Sequence, residues 1–482
     1  MIRPLVVALA SGAATVLGFA PFEVFPLPVL TLVLLFRLWR RAPSPGQAAL
    51  LAFAWGLGCF VAGVSWVYVS LHVVGGMAAP LAALATLAFC AFLALFPALA
   101  GYLGCRWRTG RPWRDALLVA GSWTLVEWLR SWLLTGFPWL AIGYSQTPPS
   151  PLAGFAPLFG VFGVGFLVVL IAALLAAGWR DARRLAAIAA IAVAGIGLHA
   201  VAWTQPAGEP FTAALLQGNI PQSLKWVPEN LSLSVQTYAR LASEHPAQLT
   251  VLPETAIPLM FDQIPREVLE TLTRHGDALI GTAVRTRQGG YTNGAVALTP
   301  ELAVQAYTKV HLVPFGEYIP PGFDWFFSLV DIPMDDFTAG PAGQKPLSIL
   351  GQKVMPNICY EDAFGELIRA GLPEATVLVN LSNTAWFGDS LAQPQHLQIA
   401  RMRAMETGRP ILRATNTGMT AALAPDGSVG GVLPPFTTGA LTVGIRGYVG
   451  RTPFSQVGDR LAAFVALLAC LPAWRLRRRM PA

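Results

Sequence analysis

The chain has 482 residues, of which 54% are hydrophobic and only 12% charged. Soluble domains average about 25% charged residues, so the composition excludes a wholly soluble protein and points to bilayer spans. The net charge of +7 sits largely in short arginine-bearing links, with no basic face interleaved with aromatics, which excludes nucleic-acid binding.

In chain order, seven apolar runs of spanning length (about 17–25 residues each) fill the first 203 residues. They lie at 4–20, 24–40, 48–71, 77–103, 115–134, 154–178 and 184–203, and an eighth follows at 459–474. Arg3 and the small residues behind it look like a signal peptide. A second apolar run follows almost at once, so the first is read as a retained span. Basic residues mark alternate links: Arg37, Arg40 and Arg41; Arg106, Arg108, Arg111 and Arg114; Arg180, Arg183 and Arg184; and Arg475, Arg477, Arg478 and Arg479. The links near Phe22–Glu23, at His72–Val74 and over 135–153 carry no Lys or Arg. By the positive-inside rule both termini are cytoplasmic and the segment between spans seven and eight faces outward. Glu127 and Arg130 in span five are one helical turn apart, so they are expected to pair or to snorkel to the interface. Charges inside a span are functional suspects.

Three segments follow from this: a membrane bundle over 1–203, a mixed domain over 204–455, and a last span with a basic tail over 456–482. The middle segment holds all four lysines, Lys225, Lys309, Lys345 and Lys353. At roughly 250 residues it is long enough for a core of its own. Strands are predicted at 211–216, 249–252, 278–284, 294–298, 354–358, 376–380 and 411–414. Helices are predicted at 229–243, 266–274, 364–370 and 394–407. Mixed elements of this kind imply layered sheet and helix. The long links 313–346 and 383–393 are rich in Pro, Gly, Asp and aromatics, and links of that length are usually functional. Of the five cysteines, Cys59, Cys90, Cys105 and Cys470 fall in or beside apolar runs, where Cys acts as a small hydrophobe. Cys359 alone lies in the mixed domain, so it has no disulfide partner there.

Cys359 ends a short apolar run, Val354-Met355-Pro356-Asn357-Ile358-Cys359-Tyr360-Glu361-Asp362. Upstream stand Glu254, after Val251-Leu252-Pro253, and Lys309, followed by Glu317. A carboxylate, an amine and a thiol, each at a strand end, are the parts of a thiol acyl-transfer site. Glu254 can take the thiol proton, Lys309 and the Tyr360 N–H can stabilise an oxyanion, and Glu317 can hold Lys309. The six histidines are scattered without metal-ligand spacing, so no metal is expected. Trp325, Phe326 and Phe327 put an apolar patch in a long link, and Trp386 and Phe387 add a second. Beside a bilayer such patches can dip into the interface; a small buried cluster is the other reading.

The Glu, Lys and Cys segments, in that order, resemble the carbon–nitrogen hydrolase (nitrilase) superfamily. The match narrows at Gln217-Gly218-Asn219-Ile220-Pro221-Gln222-Ser223-Leu224-Lys225-Trp226, at His311-Leu312-Val313-Pro314-Phe315-Gly316-Glu317-Tyr318 and at Ser382-Asn383-Thr384-Ala385-Trp386-Phe387-Gly388-Asp389. These segments, and the plan of eight spans with one domain before the last, are similar to the apolipoprotein N-acyltransferase family of bacterial inner membranes. The resemblance implies an α-β-β-α sandwich on the periplasmic face. It implies a Glu254–Lys309–Cys359 triad, with Glu317, Tyr360, Glu361 and Trp226 in support, and no cofactor. It further implies a phospholipid acyl donor and a diacylglyceryl-modified apolipoprotein acceptor, with the chain acting as a monomer in the bilayer. Thr384 stands where some relatives carry an acid. Two other classes compete: a membrane-tethered amidase or nitrilase acting on a small polar substrate, and a transporter with an outer binding domain. The latter predicts more broken or polar helices at mid-membrane.

Overall fold

The computed structural model describes residues 2–225, 231–286, 289–322 and 337–477. They form two compact units. One comprises Met1–Tyr68, Pro80–Ala202 and Thr452–Ala482; the other comprises Val69–Ala79 and Trp203–Arg451. The link 69–79 therefore groups with the second unit.

The first unit is helical. Helices at Ile2–Thr15, Leu27–Arg41, Pro45–Val64, Ala79–Arg106, Pro112–Arg130, Ala156–Ala177, Ala182–His199 and Arg460–Arg477 fall on the apolar runs one for one. Among the described residues, four stretches are long and apolar enough to cross a membrane: Pro45–Val64, Ala79–Arg106, Pro151–Ala177 and Ala182–His199. The others are shorter or carry charge; Pro112–Arg130 contains Arg114, Asp115, Glu127 and Arg130. Helix starts are chemically marked. The Ser44 hydroxyl accepts from Gln47 N at 3.3 Å ahead of Pro45, and Asp181 accepts from the N–H groups of Arg183 and Arg184. The first and third helices approach through glycine: a Cβ on Gly12 would stand 1.8 Å from the Trp55 carbonyl oxygen. Small residues allow this contact where lipid gives no hydrophobic drive between helices.

Residues 131–155 are irregular yet largely buried, with 3-10 turns at Leu133–Thr135, Ile142–Gln146 and Pro151–Phe155. Backbone of this kind is tolerated in an apolar bundle only if its polar groups are satisfied. Arg130 donates to the carbonyls of Phe137 and Trp139, the latter at 2.8 Å, and Glu127 Oε1 accepts from Ile142 N at 3.0 Å. Gln146 Nε2 donates to Phe25 O at 2.9 Å. The expectation of snorkelling is thus corrected. Both charges are buried, Arg130 to 2% exposure, because the folded-in segment needs one strong donor and one strong acceptor.

The second unit holds two six-stranded sheets. The first, ordered β12-β1-β2-β3-β4-β5, uses β1 (Thr204–Gln217), β2 (Leu249–Val251), β3 (Asp277–Arg285), β4 (Tyr291–Leu298), β5 (Val304–Thr308) and β12 (Gly439–Gly450). The second, ordered β11-β10-β9-β8-β7-β6, uses β6 (Leu347–Ile349), β7 (Gln352–Ile358), β8 (Val377–Ser382), β9 (Ile411–Thr415), β10 (Ala421–Leu423) and β11 (Val429–Val432). Strand side chains alternate between faces. Ala213 and Leu215 of β1 join Val251, Val354, Val379 and Leu381 in the core between the sheets. Ala214 and Leu216 face outward onto Tyr238, Leu241 and Leu272 of the helices Leu231–Glu244 and Arg266–Leu272. Ala392–Thr407 packs Leu397, Ala400 and Ala404 against the second sheet. The layering is helix, sheet, sheet, helix.

Strand direction places the chemistry. β1, β2 and β3 pair in parallel, while β3–β4 and β4–β5 are antiparallel, so β5 runs the same way as β2. Their C-terminal ends carry Glu254 and Lys309. β7, β8 and β9 are likewise parallel, and their ends carry Cys359, Asn383 and Asn416. Asn383 N donates to Glu254 Oε2 at 2.8 Å, which joins the two sets of ends.

Candidate active site

Lys309 is the hub. Its Nζ donates to Glu254 Oε1 at 3.1 Å and to Glu317 Oε1 at 2.9 Å, and lies 2.8 Å from Glu317 Oε2. Asn293, on β4 beside β5, donates its Nδ2 to Glu254 Oε1 at 2.7 Å and to Glu317 Oε1 at 2.9 Å. Glu317 also accepts from Val313 N at 2.8 Å. One ammonium and one amide thus tie two buried carboxylates together. Burial pushes Glu254 up, but the charge of Lys309, the Asn383 N–H and the charge of Lys225 outweigh it and hold the carboxyl below its usual range. Burial opposes the charge on Lys309; Glu254 and Glu317 overcome it and keep the ammonium firmly protonated.

Cys359 directly follows β7 and has φ +54, a left-handed conformation that non-glycine residues seldom adopt. Such a residue costs roughly 1–2 kcal/mol, so the surroundings must hold it. They do so on both sides. Glu361 Oε2 accepts from Ile358 N at 2.7 Å, and Asn380 Nδ2 donates to Cys359 O at 3.2 Å. Turning the chain sharply at a strand end presents the side chain at the rim of the sheet, a geometry that nucleophile turns also use. Burial and the charge of Glu254 push the thiol well above its usual pKa, with Lys309 pulling the other way. The resting pair is therefore a neutral thiol near an ionised Glu254.

Glu361 acts as a clamp. Its oxygens accept from Ile358 N, from Val310 N at 2.7 Å, from His311 N at 3.1 Å and from the Tyr307 hydroxyl at 3.1 Å and 3.2 Å. It thereby couples the Lys309 loop to the Cys359 turn. Burial lifts its pKa to about 7 against these donors. In Glu361→Gln an amide must meet N–H groups on at least one side, leaving a buried donor unsatisfied at about 1–3 kcal/mol. Acyl transfer is expected to drop roughly 100-fold with a lowered melting temperature, checked by turnover and by melting in detergent.

Sequence reasoning missed a second buried network beside Cys359. Asp362 Oδ1 is 2.7 Å from His396 Nε2, and Asp362 Oδ2 accepts from Arg413 Nη1 at 2.9 Å. Arg413 also donates to Asn380 Oδ1 at 2.7 Å and to His396 Nδ1 at 2.8 Å. Because arginine only donates, His396 Nδ1 accepts and its Nε2 carries the hydrogen. Arg413 and Asn380 look unremarkable in sequence, since each sits in a short strand with no local motif. Lys225 was missed too, although it stands inside the segment 217–226, because a lysine there reads as a solvated charge until its burial is seen. It is 2% exposed, and its Nζ donates to Thr255 Oγ1 at 2.6 Å and to Glu254 O at 3.3 Å.

Tyr360 is buried, its ring edge-on to Phe364 with centroids 5.0 Å apart. Trp226, Trp325, Phe326 and Phe327 lie outside the described residues. Trp386 and Phe387 are half-buried. The Trp386 carbonyl accepts from Ser70 Oγ at 2.7 Å, and the Phe387 ring lies edge-on to His396 at 6.1 Å. Among the described residues no cluster of His, Cys, Asp and Glu could hold a metal.

Residues 212–454 match the carbon–nitrogen hydrolase family, and residues 11–174 match the apolipoprotein N-acyltransferase N-terminal domain. An apolipoprotein N-acyltransferase of Nitrosomonas europaea is 50% identical over 479 residues, covering 96% of each chain. One from Ralstonia nicotianae is 46% identical over 484 residues, 97% of this chain and 92% of its own. A solved carbon–nitrogen hydrolase superfamily protein of Xanthomonas campestris superposes with a TM-score of 0.40 at 17% identity, over 49% of this chain and 91% of its own. With two matched domains and near-full-length relatives at this identity, the chain belongs to the apolipoprotein N-acyltransferase family.

Proposed function

We propose that the protein moves an acyl chain from a phospholipid to the N-terminal amine of a diacylglyceryl-cysteine in apolipoproteins, through a thioester on Cys359. The observation that carries this reading is the ammonium shared by two buried carboxylates beside a buried thiol, in a chain whose described residues include four stretches long and apolar enough to cross a membrane. The thiol rests protonated, so Glu254 takes its proton as sulfur attacks the ester carbonyl rather than beforehand. Lys309 and the Tyr360 N–H receive the oxyanion. Glu254 returns the proton to the departing lysophospholipid. The acceptor amine then attacks the thioester and loses a proton to Glu254, which passes it to the departing sulfur of Cys359. The two half-reactions share one site in ping-pong order.

The same reading sets the bundle of 1–203 and the span and tail of 456–482 in a bacterial inner membrane as eight spans. The catalytic domain, 204–455, faces the periplasm. Alternation of arginine-bearing and arginine-free links supports it. A reporter active only in the cytoplasm is expected to work when fused after Met480 and to be silent when inserted near Gly289. The reverse pattern would sink the orientation.

Incubating the purified enzyme with phospholipid vesicles tests the chemistry. The expected result is an intact-mass increase of one acyl chain, mapped to Cys359 and discharged by a diacylglyceryl peptide. A membrane-tethered amidase would give no phospholipid adduct and would instead hydrolyse small amides.

A further inference from the structure

We propose that Lys225 is a positioning residue for the reaction assigned above. It is a second buried cation that sets Glu254 and balances the charge as a proton passes from Cys359 to Glu254. The inference rests on that reading of the triad.

The geometry comes first. Lys225 closes the short turn Gln222–Lys225 and is buried. It donates to the Glu254 carbonyl and to the Thr255 hydroxyl, so it grips the main chain of the catalytic carboxylate while Lys309 grips its side chain. Thr255 has φ +42, which is a real outlier for a β-branched residue. A charged donor on its hydroxyl is what holds the turn there.

Charge balance comes second. Glu254, Glu317 and Lys309 together carry one surplus negative charge, being two carboxylates and one ammonium. Unbalanced charge is costly in a water-poor interior. A second ammonium brings the buried group to zero. As sulfur attacks, the Cys359 proton goes to a Glu254 oxygen and the S–H electron pair becomes the new S–C bond. The negative charge moves from the carboxylate to the former ester carbonyl oxygen without changing the total. Glu254 and Cys359, the acceptor and the donor of that proton, both act on Lys225. Lys225 is therefore a counter-charge to either state.

Burial lowers Lys225 to about 7, with Glu254 and Cys359 pulling upward. Its charge is present on the acid side of that value and is lost as pH rises through it. The test follows thioester formation on Cys359 from phospholipid vesicles across neutral pH, in the full-length enzyme. Wild type is expected to slow as pH rises through about 7. Lys225→Met is expected to be slower by roughly tenfold or more below neutrality, a one-unit pKa effect, and to lack that limb. Lys225→Arg stays charged throughout and is expected to hold its rate where wild type declines. A Lys225→Met enzyme that keeps the wild-type profile and loses only melting temperature makes Lys225 a structural clamp and overturns the proposal. If Lys225→Met does not fold, wild type and Lys225→Arg decide: matching limbs in both overturn it. Cys359→Ala is run alongside. An adduct that survives Cys359→Ala rejects the triad itself. A dead Cys359→Ala with an unaffected Lys225→Met rejects the role of Lys225 alone.

Discussion

Cys359→Ala is expected to abolish both the phospholipid-derived thioester and acyl transfer, a loss of roughly four orders of magnitude or more. The other four cysteines, Cys59, Cys90, Cys105 and Cys470, lie outside the unit formed by Val69–Ala79 and Trp203–Arg451. Cys359→Ser is expected to be nearly as dead, because an alcohol at its free pKa is a far weaker nucleophile than a thiol. Alanine keeps the Cβ and removes one sulfur, so the φ +54 turn and its two clamps persist and the melting temperature should barely move. Turnover and melting read on the same purified protein check both halves. Substantial turnover by a well-folded Cys359→Ala enzyme would remove the covalent mechanism.

Lys309→Met is expected to damage activity and stability together. The variant loses the proposed oxyanion donor. It also leaves Glu254 and Glu317, with side chains only 8% and 11% exposed, facing each other without their shared cation. Removing one partner of a buried ion pair destabilises by about 3–5 kcal/mol. The pH dependence carries a sign. In wild type Glu254 is held below its usual pKa, so it contributes stability at neutral pH that is lost as pH falls through its folded value. Without Lys309, burial acts upward on Glu254 against the Asn383 N–H and the charge of Lys225, with the largest opposing charge gone. The variant's deficit should then be largest at high pH and shrink as acid neutralises the carboxylates. Melting at about pH 5 and about pH 8 reads this directly. A deficit equal at both would mean that Lys309 holds the fold by packing and not by charge.

Much of the fold is legible in the chain because its strongest signals are periodic. Eight apolar runs coincide with helices, and each predicted strand falls on an observed one. β8 is buried along its whole length and reads as an apolar run, Val377-Leu378-Val379 and Leu381, broken by Asn380, as a central parallel strand that carries a polar site residue does. β12 escapes notice. It is an edge strand with Gly439, Gly444, Gly447 and Gly450 and an alternating, half-exposed face, so neither composition nor hydropathy marks it. β5 is short and shows one fully buried side chain, Tyr307. At the site, Glu254, Lys309, Glu317 and Cys359 announce themselves by sitting at strand ends inside long motifs. Asn293, Asn380 and Arg413 do not, because a polar residue within a strand gains its meaning only from the neighbouring strand. Glu127 and Arg130 show the same limit: their spacing suggests a mutual pair, and only the folded-back segment reveals the main-chain groups they serve.

The link Val69–Ala79 has a practical bearing on how this enzyme can be cut. It lies between two helices of the bundle in sequence, yet it is packed as part of the sheet half. Ser70 holds the Trp386 carbonyl, and Val69 lies so near Gly388 that a Cβ there would come within 2.7 Å of its side chain. The sheet half is thus not one continuous piece of polypeptide. A fragment starting at Trp203 would look complete by every sequence criterion and would still be missing a pin on the loop that carries Asn383, the donor to Glu254. Supplying residues 69–79 as a separate peptide, or grafting them back through a soluble linker, is the natural first repair for any such truncation.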